Sequence, residues 1–248
     1  MRFTSEQRLE DGLLEREFTL DDIPAILWTP QSASASAPAP LILLGHPGGL
    51  AQMRPRLAAR ARRSALDGFA TATIELPGGG ERPALPAVDK ARADLRRALA
   101  AGQPVSDEIV HRLILPLVDA AVPEWQAALD AILPLPELSE RVGYSGGPIA
   151  IGIRLARVEP RITAAGLFAG SYVPADMIEE ARNVTIPVHV LLQWDDRGND
   201  RQMALDLFDA IGSTEKTLQA NLGGHTGVPP HAGDEAARFF ARHLKASS

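Results

Sequence analysis

The stretch Arg141-Val142-Gly143-Tyr144-Ser145-Gly146-Gly147-Pro148-Ile149-Ala150 reads Gly-x-Ser-x-Gly where a short apolar segment gives way to helical spacing. A strand that turns abruptly into a helix holds the intervening serine in a strained backbone conformation, with its hydroxyl above the end of a sheet. Gly143 and Gly147 are expected to permit that turn, because a Cβ at either position would meet the crossing strand and helix. In a chain with 21 glycines the motif alone is weak, so its meaning rests on what surrounds it.

Working outward, residues 140–144 form the strand before the serine, and Ile149, Ile153 and Ala156 mark the helix after it, closed by Pro160. Downstream, strand and helix alternate: strand 161–168, a helix near 174–182, strand 186–192, a helix over 199–211, strand 216–220 and a helix over 233–244. Upstream, 13–19 and 23–29 read as two strands joined by Leu20-Asp21-Asp22. The small-residue segment 31–40 reads as a surface loop. Leu41-Ile42-Leu43-Leu44 is a continuous apolar run, expected of a strand buried on both faces of a parallel sheet. A helix over 53–67 and a strand over 69–75 follow. On that helix Arg56, Arg60 and Arg63 share one face, read as a solvated surface.

Residues 84–134 hold more helix than one crossover needs. Pro116 and Pro123 interrupt the apolar stripe from 107 to 133, so two or three short helices are expected, with Pro123 in the first turn of the last. Part of this stretch is a candidate cap over the site. The alternation as a whole implies a mostly parallel sheet of about eight strands with helices on both faces, in one α/β domain over residues 1–248. There are no internal repeats.

Composition narrows the function classes. The chain has no cysteine, which excludes disulfides, thiolate chemistry and cysteine-ligated zinc. No His/Asp/Glu cluster has metal-ligand spacing, so neither a metal nor a cofactor is expected. The net charge of −6 argues against a nucleic-acid surface. The N-terminus lacks the apolar core of a signal peptide and no long apolar run occurs, so a cytoplasmic protein without membrane contact is expected. A homodimer is left open.

A serine hydroxyl needs a histidine to take its proton, and that histidine needs a carboxylate to fix its tautomer. In an open parallel sheet these groups gather beyond the carboxyl ends of the strands. Asp195 and Asp196 directly follow the strand ending at Leu192-Gln193-Trp194, and His225 follows the last strand in Asn221-Leu222-Gly223-Gly224-His225-Thr226-Gly227. The order is serine, aspartate, histidine, each after a strand. Ser171 lacks a glycine two residues later and reads as a loop residue, and His231 reads as the start of the last helix. His111 and His243 fall on helices, and His189 falls within a strand as a satisfied buried histidine.

These segments, together with Gly45-His46-Pro47-Gly48-Gly49 and Leu76-Pro77-Gly78-Gly79-Gly80-Glu81-Arg82-Pro83, resemble the α/β-hydrolase superfamily over nearly the whole chain. More narrowly, they resemble its dienelactone-hydrolase-like esterase branch. The resemblance implies Ser145 as nucleophile and His225 as base. The family acid lies three residues beyond a position commonly occupied by glycine, here Gln193, which selects Asp196, with Asp195 the runner-up. A cysteine nucleophile is associated with dienelactone hydrolases proper, so that substrate is not carried over.

The oxyanion donors follow from hydrogen-bond inventory. The amide of Gly146 is one. Pro47 has no N–H, which leaves Gly48, ahead of Gly49, as the other, with His46 bracing the loop. The pocket for a small-molecule acyl substrate is expected near Leu50, Tyr144, Tyr172, Trp194 and the 84–134 helices, and to suit an uncharged group. The implied activity is carboxylic-ester hydrolysis through an acyl-enzyme. Acyl transfer, or action on a thioester, lactone or peptide, shares that chemistry, and a non-catalytic binding protein of the same fold is the rival from another class.

Overall fold

The computed structural model describes residues 1–245. Its strands are β1 (Arg2–Arg8), β2 (Leu14–Leu20), β3 (Ile23–Thr29), β4 (Ala39–Gly45), β5 (Ala70–Ile74), β6 (Leu138–Gly146), β7 (Ile162–Phe168), β8 (Val188–Gln193) and β9 (Lys216–Asn221). Its helices are α1 (Leu50–Leu66), α2 (Pro86–Ala100), α3 (Asp107–Ile132), α4 (Ile149–Val158), α5 (Ala175–Ala181), α6 (Arg201–Ala210) and α7 (Pro230–Leu244). All nine strands form one sheet in the order β1-β2-β3-β5-β4-β6-β7-β8-β9. The pairs from β1 through β3 to β5 are antiparallel and the rest are parallel.

β1 is the strand the sequence did not announce. Every one of its residues is exposed, so it has no buried face to leave an alternating pattern. It pairs along the outer edge of β2 and packs Phe3 edge-on against Phe18.

The sheet alternation separates two cores. Val142 and Tyr144 of β6 face α3, α4, α5 and α6, where Trp125 meets the Tyr144 ring edge-on at 6.3 Å. Ile42 and Leu44 of β4 face α1 and α7, which contribute Leu57, Ala61, Phe239, Phe240 and Leu244. Gly143 also faces α7: a Cβ there would lie 2.8 Å from Phe240 and 2.9 Å from Leu244. This glycine therefore serves the approach of α7 to the sheet.

Residues 84–134 depart from expectation. Instead of several short helices, α3 is one 26-residue helix with Pro116 and Pro123 inside it. An interior proline costs about 3 kcal/mol. Ten buried residues along α3 outweigh that, since each large apolar side chain removed from water contributes roughly 1.5–3 kcal/mol. Ser106 caps the helix by accepting from the Ile109 amide. The helix is a packed layer on the α4 side of the sheet, with α2 laid against it, and the residues that line the cavity beside the serine come from other elements.

The topology also fixes where a site can form. The chain leaves β4 toward β5 through α1, then returns across β4 to β6 through α2 and α3. Adjacent crossovers on opposite faces leave a crevice at the carboxyl ends of β4 and β6. Gly45 and Ser145-Gly146 lie at those ends. No helix among the described residues is long and apolar enough to cross a membrane.

Replacing Trp125, which is fully buried, with alanine should cost about 3–5 kcal/mol in chemical denaturation. Leu99→Ala on the exposed face of α2 should change stability by less than about 0.5 kcal/mol.

Candidate active site

Ser145 stays within the β6 ladder, in register with Leu44 of β4 and Gly166 of β7. The strained serine conformation expected from the motif is absent. The positive φ of 119° falls on Gly146, the next residue, where a Cβ would lie 2.6 Å from the Gly45 carbonyl oxygen. A glycine there bears the backbone reversal at no steric cost, so the serine keeps an ordinary strand geometry. Because side chains alternate along a strand, Ser145 points to the α1/α7 face and Tyr144 to the other.

The serine opens onto a cavity of about 370 Å³, within the range of small-molecule sites. Its walls include Pro47, Met53, Arg56 and Arg60 from the α1 side, Leu167 and Phe168 from β7, and Ala232, Gly233 and Ala236 from α7. His225 lines the same cavity. The topology thus brings Ser145 and His225 to one space, although no hydrogen bond joins them. The hydrogen-bond partner of Ser145 Oγ is Arg60, whose Nη2 donates across 3.0 Å.

His225 is oriented by Asp196, whose Oδ2 lies 2.7 Å from Nδ1. The Asp196 side chain is only 5% exposed, and its Oδ1 accepts from the Gly198 amide at 3.0 Å. Nδ1–H directed at a carboxylate leaves Nε2 as the acceptor nitrogen. The imidazole also meets the Phe168 ring edge-on at 5.4 Å.

The neighbouring Asp195 points elsewhere. Its Oδ1 accepts from the amides of Gly223 and Gly224, each at 2.9 Å. Those bonds, the Gly224 amide foremost, hold its carboxyl below the usual aspartate range. Gln193, which stands where the family commonly has glycine, is buried and donates through Nε2 to the Gly224 carbonyl at 2.7 Å. Together Gln193 and Asp195 brace the loop that carries His225. Their buried or bonded roles had no signature in the sequence.

His46 braces its own loop: Nδ1 lies 2.6 Å from the Gly48 carbonyl and Nε2 lies 2.9 Å from the Ile74 carbonyl. Burial, the largest influence, pushes its pKa down. The triple-glycine segment wraps the buried Glu75 carboxylate, which accepts from the Leu50 and Leu76 amides at 2.8 and 3.2 Å. Gly146 lines the cavity, whereas Gly48 does not.

The expected pocket residues lie outside the cavity. Leu50 begins α1 and is buried in the α1/α7 core. Tyr144 is fully buried on the opposite face of the sheet, where burial raises its phenol pKa. Tyr172 packs against the α4-side core. Trp194 follows β8 on the surface, 43% exposed, with the Arg201 guanidinium 4.2 Å over its ring. Two other residues line the cavity instead. His189 is buried with Nδ1 2.8 Å from Thr217 Oγ1, but its Nε2 has no partner, so it is only half satisfied. Ser171, on the loop after β7, also lines the cavity with an unpartnered hydroxyl.

Comparisons with known proteins agree with this architecture. No protein-family model matches the sequence, and no curated protein sequence does. A solved structure of a cold-adapted esterase from an Arctic intertidal metagenomic library superposes with a TM-score of 0.77 at 26% identity, covering 99% of this chain and 100% of that one. Acetyl xylan esterase 1 from Thermoanaerobacterium superposes with a TM-score of 0.63 at 14% identity, covering 99% and 88%. An acetyl xylan esterase from Paenibacillus gives 0.64 at 14% identity, covering 98% and 88%.

One prediction concerns the His225 loop. Because the Asp195 pKa is depressed on folding, the bonds to Gly223 and Gly224 stabilise the loop above the unfolded aspartate range, near pH 4, and are lost as pH falls further. The protection factors of the Gly223 and Gly224 amides, taken against the intrinsic exchange rate at each pH, should fall on that acidification, and Asp195→Asn should lower them at neutral pH.

The sheet order, the crossover reversal at β4 and the full-length superpositions lead to one conclusion: this chain has the α/β-hydrolase fold.

Proposed function

We propose that this protein is a carboxylic-ester hydrolase of the serine type, with Ser145 as nucleophile, His225 as general base and Asp196 as the carboxylate that orients it. The observation that carries this reading is the 2.7 Å contact between Asp196 and His225 on the rim of the cavity that Ser145 opens into. The likeness to the metagenomic cold-adapted esterase supports it, because that likeness extends to sequence.

In the reaction, Ser145 Oγ attacks the acyl carbon as its proton passes to His225 Nε2, and the carbonyl π pair moves onto oxygen. Asp196 holds Nδ1–H and stabilises the imidazolium without taking the proton. Collapse expels the alcohol with the proton from His225, and water activated by His225 then releases the acid. The Gly146 amide is proposed as an oxyanion donor because that residue lines the cavity beside the serine. Gly48, the second expected donor, follows Pro47, which lines the cavity. Resting hydrogen bonds at such sites often tighten only when substrate binds, so the unformed Ser145–His225 bond is compatible with this scheme.

The cavity volume is near the lower end of the small-molecule range, which favours short acyl chains. The narrower likeness to dienelactone-hydrolase-like esterases rests on the sequence motifs.

Ser145→Ala should abolish both p-nitrophenyl acetate turnover and fluorophosphonate labelling while leaving the melting temperature near that of the parent. Retained labelling would sink the nucleophile assignment. Asp196→Asn should lower kcat by about 10³–10⁴-fold, whereas Asp195→Asn should cost less than about ten-fold. Across p-nitrophenyl esters of increasing acyl length, kcat/KM should fall beyond the shortest chains.

A further inference from the structure

Arg60 lies on α1, on the helix face that the sequence assigns to solvent, yet its guanidinium turns inward over the ends of β4 and β6. Nη1 donates to the Gly45 carbonyl at 3.1 Å, and Nη2 donates to the Ser145 carbonyl at 2.8 Å and to Ser145 Oγ at 3.0 Å. Among the described residues no carboxylate lies within salt-bridge distance of it, whereas Arg63 on the same helix pairs with Asp234. Desolvation, with repulsion from Arg56 second, pushes the Arg60 pKa down to about 10, which leaves it charged at neutral pH. A cation without a counter-ion is costly to hold where water is scarce, unless negative charge appears there at some stage.

We propose that Arg60 is the electrostatic partner of the nucleophile: it fixes the Ser145 hydroxyl before attack and stabilises the negative charge that develops as the tetrahedral intermediate forms. The inference rests on the reading of Ser145 as nucleophile. A guanidinium only donates, so it occupies a lone pair of Oγ and leaves the O–H proton free for His225. As the Oγ–carbon bond forms, that proton goes to His225 Nε2 and the carbonyl π pair becomes the oxyanion, on the same carbon as the oxygen that Nη2 already touches. Arg60 gives up no proton in the step. It supplies fixed positive charge on the cavity wall beside Ser145 and Gly146.

Two substitutions separate charge from hydrogen bonding. Arg60→Gln keeps N–H donors for the strand-end carbonyls and removes the charge, and Arg60→Lys keeps the charge. Both are compared with the parent in p-nitrophenyl acetate turnover and in the rate of fluorophosphonate labelling, on protein shown by thermal melting to be folded. Arg60→Gln should lower kcat and the labelling rate about a hundred-fold with KM within about two-fold, and Arg60→Lys should lose less than about ten-fold. In Arg60→Ala, added guanidinium ion should recover part of the labelling rate. Equal losses in the Lys and Gln variants, a loss confined to KM, parental rates in Arg60→Gln, or no recovery by guanidinium would overturn the inference while leaving Ser145 as nucleophile. A parent protein that fluorophosphonate does not label would overturn the nucleophile reading, and this inference with it.

Discussion

A parallel sheet ends its strands in carbonyl groups that have lost their ladder partners, and something must donate to them. At β4 and β6 the donor is the Arg60 guanidinium, which binds the carbonyls of Gly45 and Ser145 together. The rest of the site is arranged around that contact. It bridges the ends of two paired strands whose crossovers leave in opposite directions, so it sits at the mouth of the crevice that this topology creates. It also fixes which way the serine hydroxyl faces. The cavity beside it is open because Gly45, Gly146 and Gly166 place no side chains on its floor.

The two faces of the sheet divide the labour. The α4-side core, with the long α3, Trp125 and Tyr144, is the larger of the two. The α1/α7 side is thinner, and it is there that charged and polar groups enter: Arg60, His189, Ser171 and, from the loop after β9, His225. A helix layer of small residues at Ala232, Gly233 and Ala236 leaves room for a ligand where bulky side chains would have closed the gap. The loop carrying His225 is pinned by Gln193, Asp195 and Asp196, three nearby residues at the end of one strand. Each makes a different bond, so the orientation of the imidazole is set by the end of β8 as a unit.

The expectations that failed did so for identifiable reasons. Tyr144 and Trp194, expected near the pocket, are next in sequence to Ser145 and close to Asp196, but sequence neighbours need not share a site. Along a strand, adjacent residues face opposite sides, and beyond a strand the chain turns to the surface. Pro116 and Pro123 were read as breaks between short helices, but the local penalty of a proline is smaller than the burial of a ten-residue apolar face. Arg60 was read as solvated because helical spacing shows which residues share a face and not what that face meets.

By itself, the sequence determined the alternation of strands and helices, the serine, aspartate and histidine at strand ends, and the absence of thiol chemistry. These follow from periodicity and residue type, which are local properties. Only the tertiary structure decided which of two adjacent aspartates meets His225, that Gly146 and not Ser145 bears the positive φ, and that an arginine from α1 holds the serine hydroxyl. Each of these depends on the relative placement of segments tens of residues apart, and that placement is set by packing across the sheet.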